Sequence, residues 1–144
     1  ENLFFYGDTG VGKTFLSHCI ARELIEQSFC VIYFTAFDLF DRLAQTAFSR
    51  KSETDPGDDF ILDCDLLIID DFGMVKLDGQ VQHDFEQIID DRYNRKALIL
   101  ASQLPVADWY DVFQSELIAE ACLDRIVHKA IKFDLKGESL RKKY

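Results

Sequence analysis

The segment Gly7–Thr14, with the sequence GDTGVGKT, matches the phosphate-binding pattern G-x-x-x-x-G-K-[ST] at every fixed position. Its glycines let the backbone adopt positive φ and approach a ligand closely, so that successive N–H groups form an anion-binding nest. Lys13 can reach the β- and γ-phosphates of a nucleotide, and the Thr14 hydroxyl can ligate Mg²⁺. The pattern therefore predicts a site for ATP and Mg²⁺ rather than a chance Gly-containing turn.

The residues around the loop supply the strand and the helix that this motif needs. A short apolar run at 2–6 predicts a buried strand, and the residues from Thr14 onward have helical periodicity. The N-terminus of that helix adds partial positive charge where the phosphates would lie. The predicted nucleotide-binding residues are Gly7, Asp8, Thr9, Gly10, Val11, Gly12, Lys13, Thr14 and Phe15.

A second motif, DLLIIDD at Asp65–Asp71, ends an apolar run with two carboxylates. In open α/β sheets ligands bind at the carboxyl ends of the strands, which is where these two side chains would be. Asp70 is predicted to hold Mg²⁺, directly or through water, across from Thr14. Asp71 is predicted to orient or deprotonate an attacking water. The motif is weak evidence by itself, but it is strong evidence here because it follows a phosphate loop by about 55 residues.

Strand-like and helix-like segments alternate along the chain, which predicts an α/β fold with a mainly parallel sheet. Later strands are expected at 30–34, 66–69, 97–101 and 130–135, and later helices at 35–48, 80–95, 108–113 and 116–129. The unbroken apolar run at 30–34 predicts a strand covered on both faces, and 130–135 predicts an edge strand. Thr35 is expected to cap the second helix. The predicted inward face of the first helix comprises Phe15, Leu16, Cys19, Ile20 and Leu24.

Polar residues also follow the strand predicted at 97–101. Ser102 or Gln103 could contact the γ-phosphate or the attacking water, and spacing alone equally allows that they only begin a turn before Pro105. Trp109 is interpreted as a packing residue rather than a platform for a nucleic acid base.

With 144 residues, of which 48 % are apolar and 29 % are charged, the composition is that of one globular domain. A net charge of −10 argues against non-specific binding to nucleic acid without a local basic patch. No apolar run is long enough to predict a membrane span. The cysteines have no C-x-x-C spacing and predict reduced, mostly buried thiols in a cytoplasmic protein. The four cysteines are Cys19, Cys30, Cys64 and Cys122. The main basic cluster comprises Lys136, Arg141, Lys142 and Lys143, and on composition alone we interpret it as a solvated tail.

With both motifs in view, the chain resembles the AAA+ ATPases of the DnaC/IstB family. The segments NLFFYGDTGVGKTFLSHCIARELI, VIYFTAFDLFDRL and CDLLIIDDFG look like DnaC-type helicase loaders. The segments ASQLPVADWYDVF and LIAEACLDRIVHKAIKFDLKGESLRK are more similar to IstB-type transposition helpers. The resemblance implies an AAA+ P-loop NTPase fold, with a five-stranded sheet, helices on both faces, and the phosphate-binding and acidic strands near the middle. Residues 1–144 would form one such domain, a fragment lacking an N-terminal region that carries partner and DNA contacts in the family.

The resemblance also implies roles for single residues. The LDRI match makes Arg125 an arginine finger that acts on ATP held by a neighbouring subunit, and the GESLRK match makes Arg141 a sensor of the bound nucleotide. The segment after the fourth strand makes Ser102, or else Gln103, the polar sensor. The family commonly has Asp-Glu where this chain has Asp-Asp, so the water must lie closer to Asp71 or hydrolysis is slower.

The leading hypothesis is an ATPase that converts ATP and water to ADP and phosphate and self-associates head-to-tail on Mg·ATP. It would act with DNA and with either a replicative helicase or a transposase. A helicase loader should prefer single strands, and a transposition helper should prefer duplex DNA. The alternative is a nucleotide-dependent binding switch with little hydrolysis, which the short side chain of Asp71 motivates. A small-molecule kinase is disfavoured, because the paired acids suit activation of water better than transfer to a metabolite.

Overall fold

The computed structural model describes residues 2–7, 12–46, 59–128 and 130–134. In chain order the elements are β1 (Asn2–Tyr6), α1 (Lys13–Glu26), β2 (Val31–Thr35), α2 (Ala36–Thr46), α3 (Asp59–Asp63), β3 (Leu66–Asp70), α4 (Gly79–Arg92), β4 (Ala97–Ser102), a 3₁₀ helix (Val106–Val112), α5 (Glu116–Val127) and β5 (Ala130–Asp134). The alternation of strands and helices confirms the predicted α/β fold class. Within these ranges, no helix is both long enough and apolar enough to cross a bilayer.

The five strands form one sheet in the order β2-β3-β4-β1-β5, and every neighbouring pair is parallel. β4 therefore lies between the strand that precedes the phosphate loop and the strand that ends in the two aspartates. Tyr6 is paired with Ser102, and Asp70 is paired with Thr35, so the last residues of four strands lie along one edge. The parallel arrangement thus brings the two sequence motifs to the same edge of the sheet, as predicted.

Helices cover both faces of the sheet, and β3 is buried throughout. Leu66 and Ile68 belong to a smaller apolar cluster beneath α1, whereas Leu67 and Ile69 belong to a larger cluster beneath the remaining helices. Successive side chains of a strand point to opposite faces, so four aliphatic residues in a row fill both clusters. Each such burial contributes about 1.5–3 kcal/mol, which fixes the position of Asp70 at the end of the strand.

Trp109 is a packing residue, as predicted. It is fully buried, and its indole N–H donates to the carbonyl of Leu104 at 2.9 Å. Its ring meets Phe4 edge-on at 5.1 Å and Phe72 edge-on at 5.4 Å. The indole therefore packs between β1 and the residue that directly follows the two aspartates.

The predicted inward face of α1 is partly wrong. Ile20 and Leu24 pack against the sheet, but Phe15, Leu16 and Cys19 are exposed. The inward face instead begins with Lys13 and Ser17, both buried, and continues through Ile20, Ala21 and Leu24. Lys13 must point toward the loop and the sheet edge, and the 3.6-residue period then sets which later residues face inward. The buried lysine, rather than the number of apolar residues, sets the rotation of the helix.

Several other predictions can be compared with the structure. The strand predicted to be covered on both faces is β2, which lies at an edge of the sheet and is only half-buried. Cys19 and Cys30 are exposed, so only Cys64 and Cys122 are the buried thiols that were predicted. The helix predicted at 108–113 is a 3₁₀ helix, and α3 was not predicted. The edge position of β5 and the cap at Thr35, whose hydroxyl accepts from the Asp38 N–H at 3.1 Å, are confirmed.

Arg92 lies at the end of α4 with its guanidinium buried. It donates to the carbonyls of Ile61 (2.9 Å), Cys64 (2.9 Å) and Ala97 (2.7 Å). Burial lowers the pKa of Arg92, but the ordinary value is so high that the side chain stays charged. One guanidinium thereby donates hydrogen bonds to carbonyls at the end of α3 and near the starts of β3 and β4. No sequence pattern had indicated this role.

Replacing Arg92 with Leu is expected to lower the free energy of unfolding by more than about 3 kcal/mol, because several buried carbonyls lose their donor. Urea unfolding followed by circular dichroism measures the change. Arg22→Leu is the matched control, since Arg22 forms only an exposed pair with Glu26 and its loss should change stability by less than about 1 kcal/mol. Equal midpoints for the two variants would contradict a structural role for Arg92.

Candidate nucleotide-binding site

The two ends of the phosphate loop are defined by the strand and the helix that flank it. The N–H of Gly7 donates to the carbonyl of Ser102 at 3.1 Å, which fastens the start of the loop to β4. Gly12 has φ of +100°, a left-handed conformation that suits glycine, and it immediately precedes α1. The predicted ligands between them lie outside the described residues: Asp8, Thr9, Gly10 and Val11.

Lys13 reaches back across the loop that it follows. Its side chain is buried, and Nζ donates to the carbonyl of Gly7 at 2.6 Å. The ammonium therefore lies at the N-terminus of α1, where helix N–H groups also attract anions. A phosphate at this position would offer charged oxygens, which are stronger acceptors than a carbonyl.

The structure brings together the two residues predicted to share Mg²⁺. The hydroxyl of Thr14 donates to Oδ2 of Asp70 at 2.8 Å across 56 positions of sequence. Asp70 is only 2 % exposed, so its carboxylate is held at the sheet edge and largely shielded from water. The first turn of α1 and the end of β3 thus form one polar centre.

Tyr33 is a member of this centre that the sequence did not reveal. Its hydroxyl donates to the same oxygen, Oδ2 of Asp70, at 2.7 Å. Burial, followed by the hydrogen bond to Asp70, raises the pKa of Tyr33, so the phenol remains a protonated donor. The available signal in the sequence was a tyrosine, whose ring carries a hydroxyl, in a largely apolar strand.

The residues present fit a magnesium ion that arrives with its nucleotide. The hydroxyl of Thr14 and the carboxylate of Asp70 are hard oxygen ligands, which Mg²⁺ prefers. Among the described residues, no group of three or more His, Cys, Asp or Glu side chains could hold a metal alone. Phosphate oxygens and water would therefore have to complete the coordination shell, as is usual for Mg²⁺ at nucleotide sites.

Asp71 directly follows β3, and its backbone has φ of +55°. Its side chain is exposed, but the surrounding residues partly desolvate its carboxyl group. Aspartate tolerates this left-handed conformation better than most residues. Burial and the neighbouring Asp70 carboxylate raise the pKa of Asp71, and Lys13 partly opposes the shift. The carboxylate lines a cleft of about 420 Å³ with Thr35, Met74 and Gln103. A carboxylate in this position can accept a proton from a water in the cleft.

The turn that carries Asp71 is fastened to β4. The N–H of Phe72 donates to the carbonyl of Ala101 at 2.9 Å. Gly73 has φ of +103°, and a Cβ there would lie 2.8 Å from Cδ1 of Leu104. Only glycine meets both conditions without strain, so the turn has a single close-packed path.

The catalytic role predicted for Ser102 does not suit its surroundings. Ser102 is fully buried; its hydroxyl donates to the carbonyl of Phe72 and accepts from the N–H of Leu104 at 3.0 Å. A hydroxyl has one proton to donate, and this one is used within the fold. Gln103, the alternative, lies in the cleft beside Asp71. Ser102 therefore connects the turn after β3 to β4, and Gln103 becomes the candidate polar sensor.

The structure also describes two further predicted site residues, Arg125 and Phe15. Arg125 faces α4, where it pairs with Asp90 at 2.9 Å and Glu86 at 3.3 Å, and the arginine-finger role stays a prediction. Phe15 lies in the first turn of α1 and is 67 % exposed, so it is open to solvent beside the loop. Arg141 lies outside the described residues.

Comparison with known sequences identifies similar proteins along the whole chain. A family model described as IstB-like ATP binding protein matches residues 1–144. An insertion-sequence ATP-binding protein of Sinorhizobium fredii is 36 % identical over 146 residues, covering 99 % of this chain and 57 % of that protein. One from Geobacillus stearothermophilus is 36 % identical over 141 residues, covering 98 % of this chain and 55 % of that protein. The chain thus spans little more than half the length of these relatives.

Solved structures share the fold at lower identity. DnaI superposes with a TM-score of 0.77 at 21 % identity, covering 96 % of this chain and 72 % of that chain. The DnaC helicase loader gives 0.74 at 24 % identity, covering 94 % and 78 %. AMPPCP-bound DnaA from Aquifex aeolicus gives 0.74 at 23 % identity, covering 96 % and 42 %. These likenesses confirm the predicted AAA+ P-loop fold.

Ser102→Ala is expected to lower the free energy of unfolding by about 1–3 kcal/mol, because the buried carbonyl of Phe72 loses its donor. The neighbouring change Gln103→Ala should leave stability nearly unaltered, since Gln103 is only half-buried. Denaturant unfolding of both variants measures the contrast. A Ser102→Ala protein of unaltered stability that no longer hydrolyses ATP would return the sensor role to Ser102.

Proposed function

Since the chain belongs to the family of IstB-like ATP-binding proteins, we propose that it is the ATP-hydrolysing domain of a transposition helper. The observation that carries this proposal is the contact between Thr14 and Asp70, beside the buried Lys13. These three side chains supply what Mg·ATP needs from a protein: a cation for the phosphates and two oxygen ligands for the metal.

The proposed chemistry is the hydrolysis of ATP to ADP and phosphate. Thr14 and Asp70 would hold Mg²⁺, which would supply positive charge to the phosphate oxygens. Lys13 exchanges the carbonyl of Gly7 for a phosphate oxygen and stabilises negative charge there. Asp71 accepts the proton of a water in the adjoining cleft, and Gln103 orients that water or the γ-phosphate.

A second candidate is a nucleotide-dependent switch with little hydrolysis. The side chain of Asp71 is one methylene shorter than the glutamate usual in AAA+ enzymes. Its left-handed backbone fixes the point from which the side chain extends. A displacement of about 1 Å can cost a reaction about 10²-fold in rate. The position of Asp71 in the cleft beside Gln103 favours the hydrolytic function over the switch.

We also propose that subunits associate head-to-tail, with Arg125 acting on a neighbour's nucleotide. Arg125 borders an open groove lined by Tyr110 and by Leu117, which is 77 % exposed. Apolar side chains exposed beside a charged group suit burial against another protein surface. Head-to-tail contacts of this kind generate rings or helical filaments.

DNA and a transposase are the proposed partners of the whole protein. The relatives at 36 % identity are insertion-sequence proteins, whereas the likeness to the DnaC helicase loader, at 24 % identity, concerns the fold. This difference favours transposition over helicase loading. ATP-dependent binding of the whole protein to duplex DNA would support the choice, and preference for single strands with a replicative helicase would overturn it.

Replacing Asp71 with Asn should lower ATP turnover about 10²–10⁴-fold and leave Mg·ATP binding intact, because the proton acceptor is lost. Asparagine also accepts the left-handed backbone.

The native pKa of Asp71 exceeds its unfolded value, so the stability it contributes when protonated is lost as pH rises through the native pKa. The variant should therefore be at least as stable as the parent near neutral pH. Phosphate release and thermal unfolding measure these outcomes.

Lys13→Ala is the matched loss-of-binding control for Asp71→Asn. Mg·ATP at 100 times its Kd should stabilise the parent and Asp71→Asn by about 2.7 kcal/mol, and Lys13→Ala should lose most of this gain. A parent stabilised by Mg·ATP that releases no phosphate would favour the switch. A parent that is not stabilised at all would exclude both nucleotide-dependent functions.

The role of Arg125 can be tested by mixing two inactive variants. Lys13→Ala and Arg125→Ala should each be inactive, while their equal mixture should regain about one quarter of the parent's turnover, since one interface in four pairs an intact Lys13 with an intact Arg125. Arg22→Ala, an exposed arginine of α1, is the control and should remain active. No recovery on mixing two folded variants would argue against action between subunits.

A further inference from the structure

Asp70 accepts three hydrogen bonds from three different parts of the chain. Thr14 Oγ1 and the Tyr33 hydroxyl donate to Oδ2 at 2.8 Å and 2.7 Å. The N–H of Asp71 donates to Oδ1 at 2.9 Å. These donors come from α1, β2 and the turn after β3, so the carboxylate is held from three sides.

These three hydrogen bonds occupy most of the acceptor positions that the Asp70 carboxylate could offer to a metal. A carboxylate has about four lone-pair positions, two on each oxygen. Thr14 and Tyr33 occupy both positions on Oδ2, and the N–H of Asp71 occupies one on Oδ1. The described residues thus leave one position on Oδ1. Thr14 keeps its oxygen lone pairs for Mg²⁺ while donating its proton, because a hydroxyl is both donor and acceptor.

Tyr33 is well placed to restrain the rotation of this carboxylate. The last torsion of an aspartate side chain is broad and weakly restrained by itself. Tyr33 is paired with Ile68 in the parallel register, and its side chain extends along the strands to Asp70. The ring of His18 meets the Tyr33 ring edge-on, with 5.0 Å between centroids. The phenol is therefore itself positioned by α1 and β2.

From these contacts we infer that Tyr33 is a positioning residue, whose hydroxyl fixes the Asp70 carboxylate so that one Oδ1 position faces the Mg²⁺ shell. The inference rests on the proposed nucleotide site and assigns a role to an edge strand that carries neither sequence motif. It concerns metal affinity specifically. Nucleotide binding without metal depends on Lys13 and the loop, which Tyr33 does not contact through any hydrogen bond of the described residues.

The test replaces Tyr33 with Phe in the whole protein and measures Mg²⁺ binding directly. A fluorescent ADP analogue is bound at fixed concentration, first in chelator and then with increasing Mg²⁺, and its anisotropy is recorded. Loss of a hydrogen-bond partner of a metal ligand typically costs 10- to 100-fold in metal affinity or activity. We expect the Mg²⁺ midpoint to rise about tenfold, while the affinity for the analogue in chelator is unchanged.

Two further proteins make the comparison specific. Tyr93→Phe removes a tyrosine hydroxyl at the opposite edge of the sheet, between α4 and β4, and should leave the Mg²⁺ midpoint unchanged. In an Asp70→Asn background, adding Tyr33→Phe should cause little further change, because Tyr33 acts through that carboxylate. Free Mn²⁺ measured by electron paramagnetic resonance gives a second readout that does not depend on the fluorophore.

Each outcome bears on the inference. An unchanged Mg²⁺ midpoint in Tyr33→Phe, with a parent that binds Mg·ADP, overturns the positioning role and leaves the proposed function standing. Equal weakening of nucleotide binding in chelator also overturns it, because the effect would then be on the fold of the site. A parent that binds no nucleotide overturns the proposed function itself, and with it the role of Tyr33.

Discussion

The parallel pairing of β4 with both β1 and β3 is the constraint on which the candidate site depends. The phosphate loop begins at the end of β1 and the aspartates lie at the end of β3, so neither motif contacts the other through its own strand. Backbone bonds from Gly7 to Ser102 and from Phe72 to Ala101 fasten both turns to β4. The distance between Thr14 and Asp70 is therefore set by a strand that contains neither residue.

The sequence predicted the parts of this site that obey local rules. Fixed spacing identified Lys13 and Thr14, and an apolar run ending in two acids identified Asp70, because both patterns need only a strand and its following turn. The roles of Tyr33 and Arg92 were not predicted. Their partners lie 37 and 31 residues away along the sequence, or belong to elements whose packing was unknown. The role of Ser102 stayed open in the sequence, since a hydroxyl at a strand end can face the ligand or the fold. In the structure this hydroxyl donates to the packed turn before Gly73.

Polar groups at the centre of this molecule are individually paired. Among the described residues, no buried side-chain nitrogen or oxygen lacks a hydrogen-bond partner. Arg92 closes the amino-terminal edge of the sheet with carbonyl contacts, while Asp70 is held at the carboxyl edge by hydroxyls and an amide. Such satisfied networks specify one arrangement of the backbone, since any other would leave a buried group without a partner.

The hydrogen bond from Lys13 to the carbonyl of Gly7 also bears on how tightly a nucleotide is held. In the proposed function Lys13 would turn from this carbonyl to a phosphate oxygen, and a buried ammonium needs an acceptor in both states. Nucleotide affinity would then include the loss of the Gly7 contact as well as the gain of a lysine–phosphate contact. When phosphate leaves, the same carbonyl is available to receive the lysine. The carbonyl of Gly7 would thus compete with the phosphate for Lys13, which would moderate affinity and favour release.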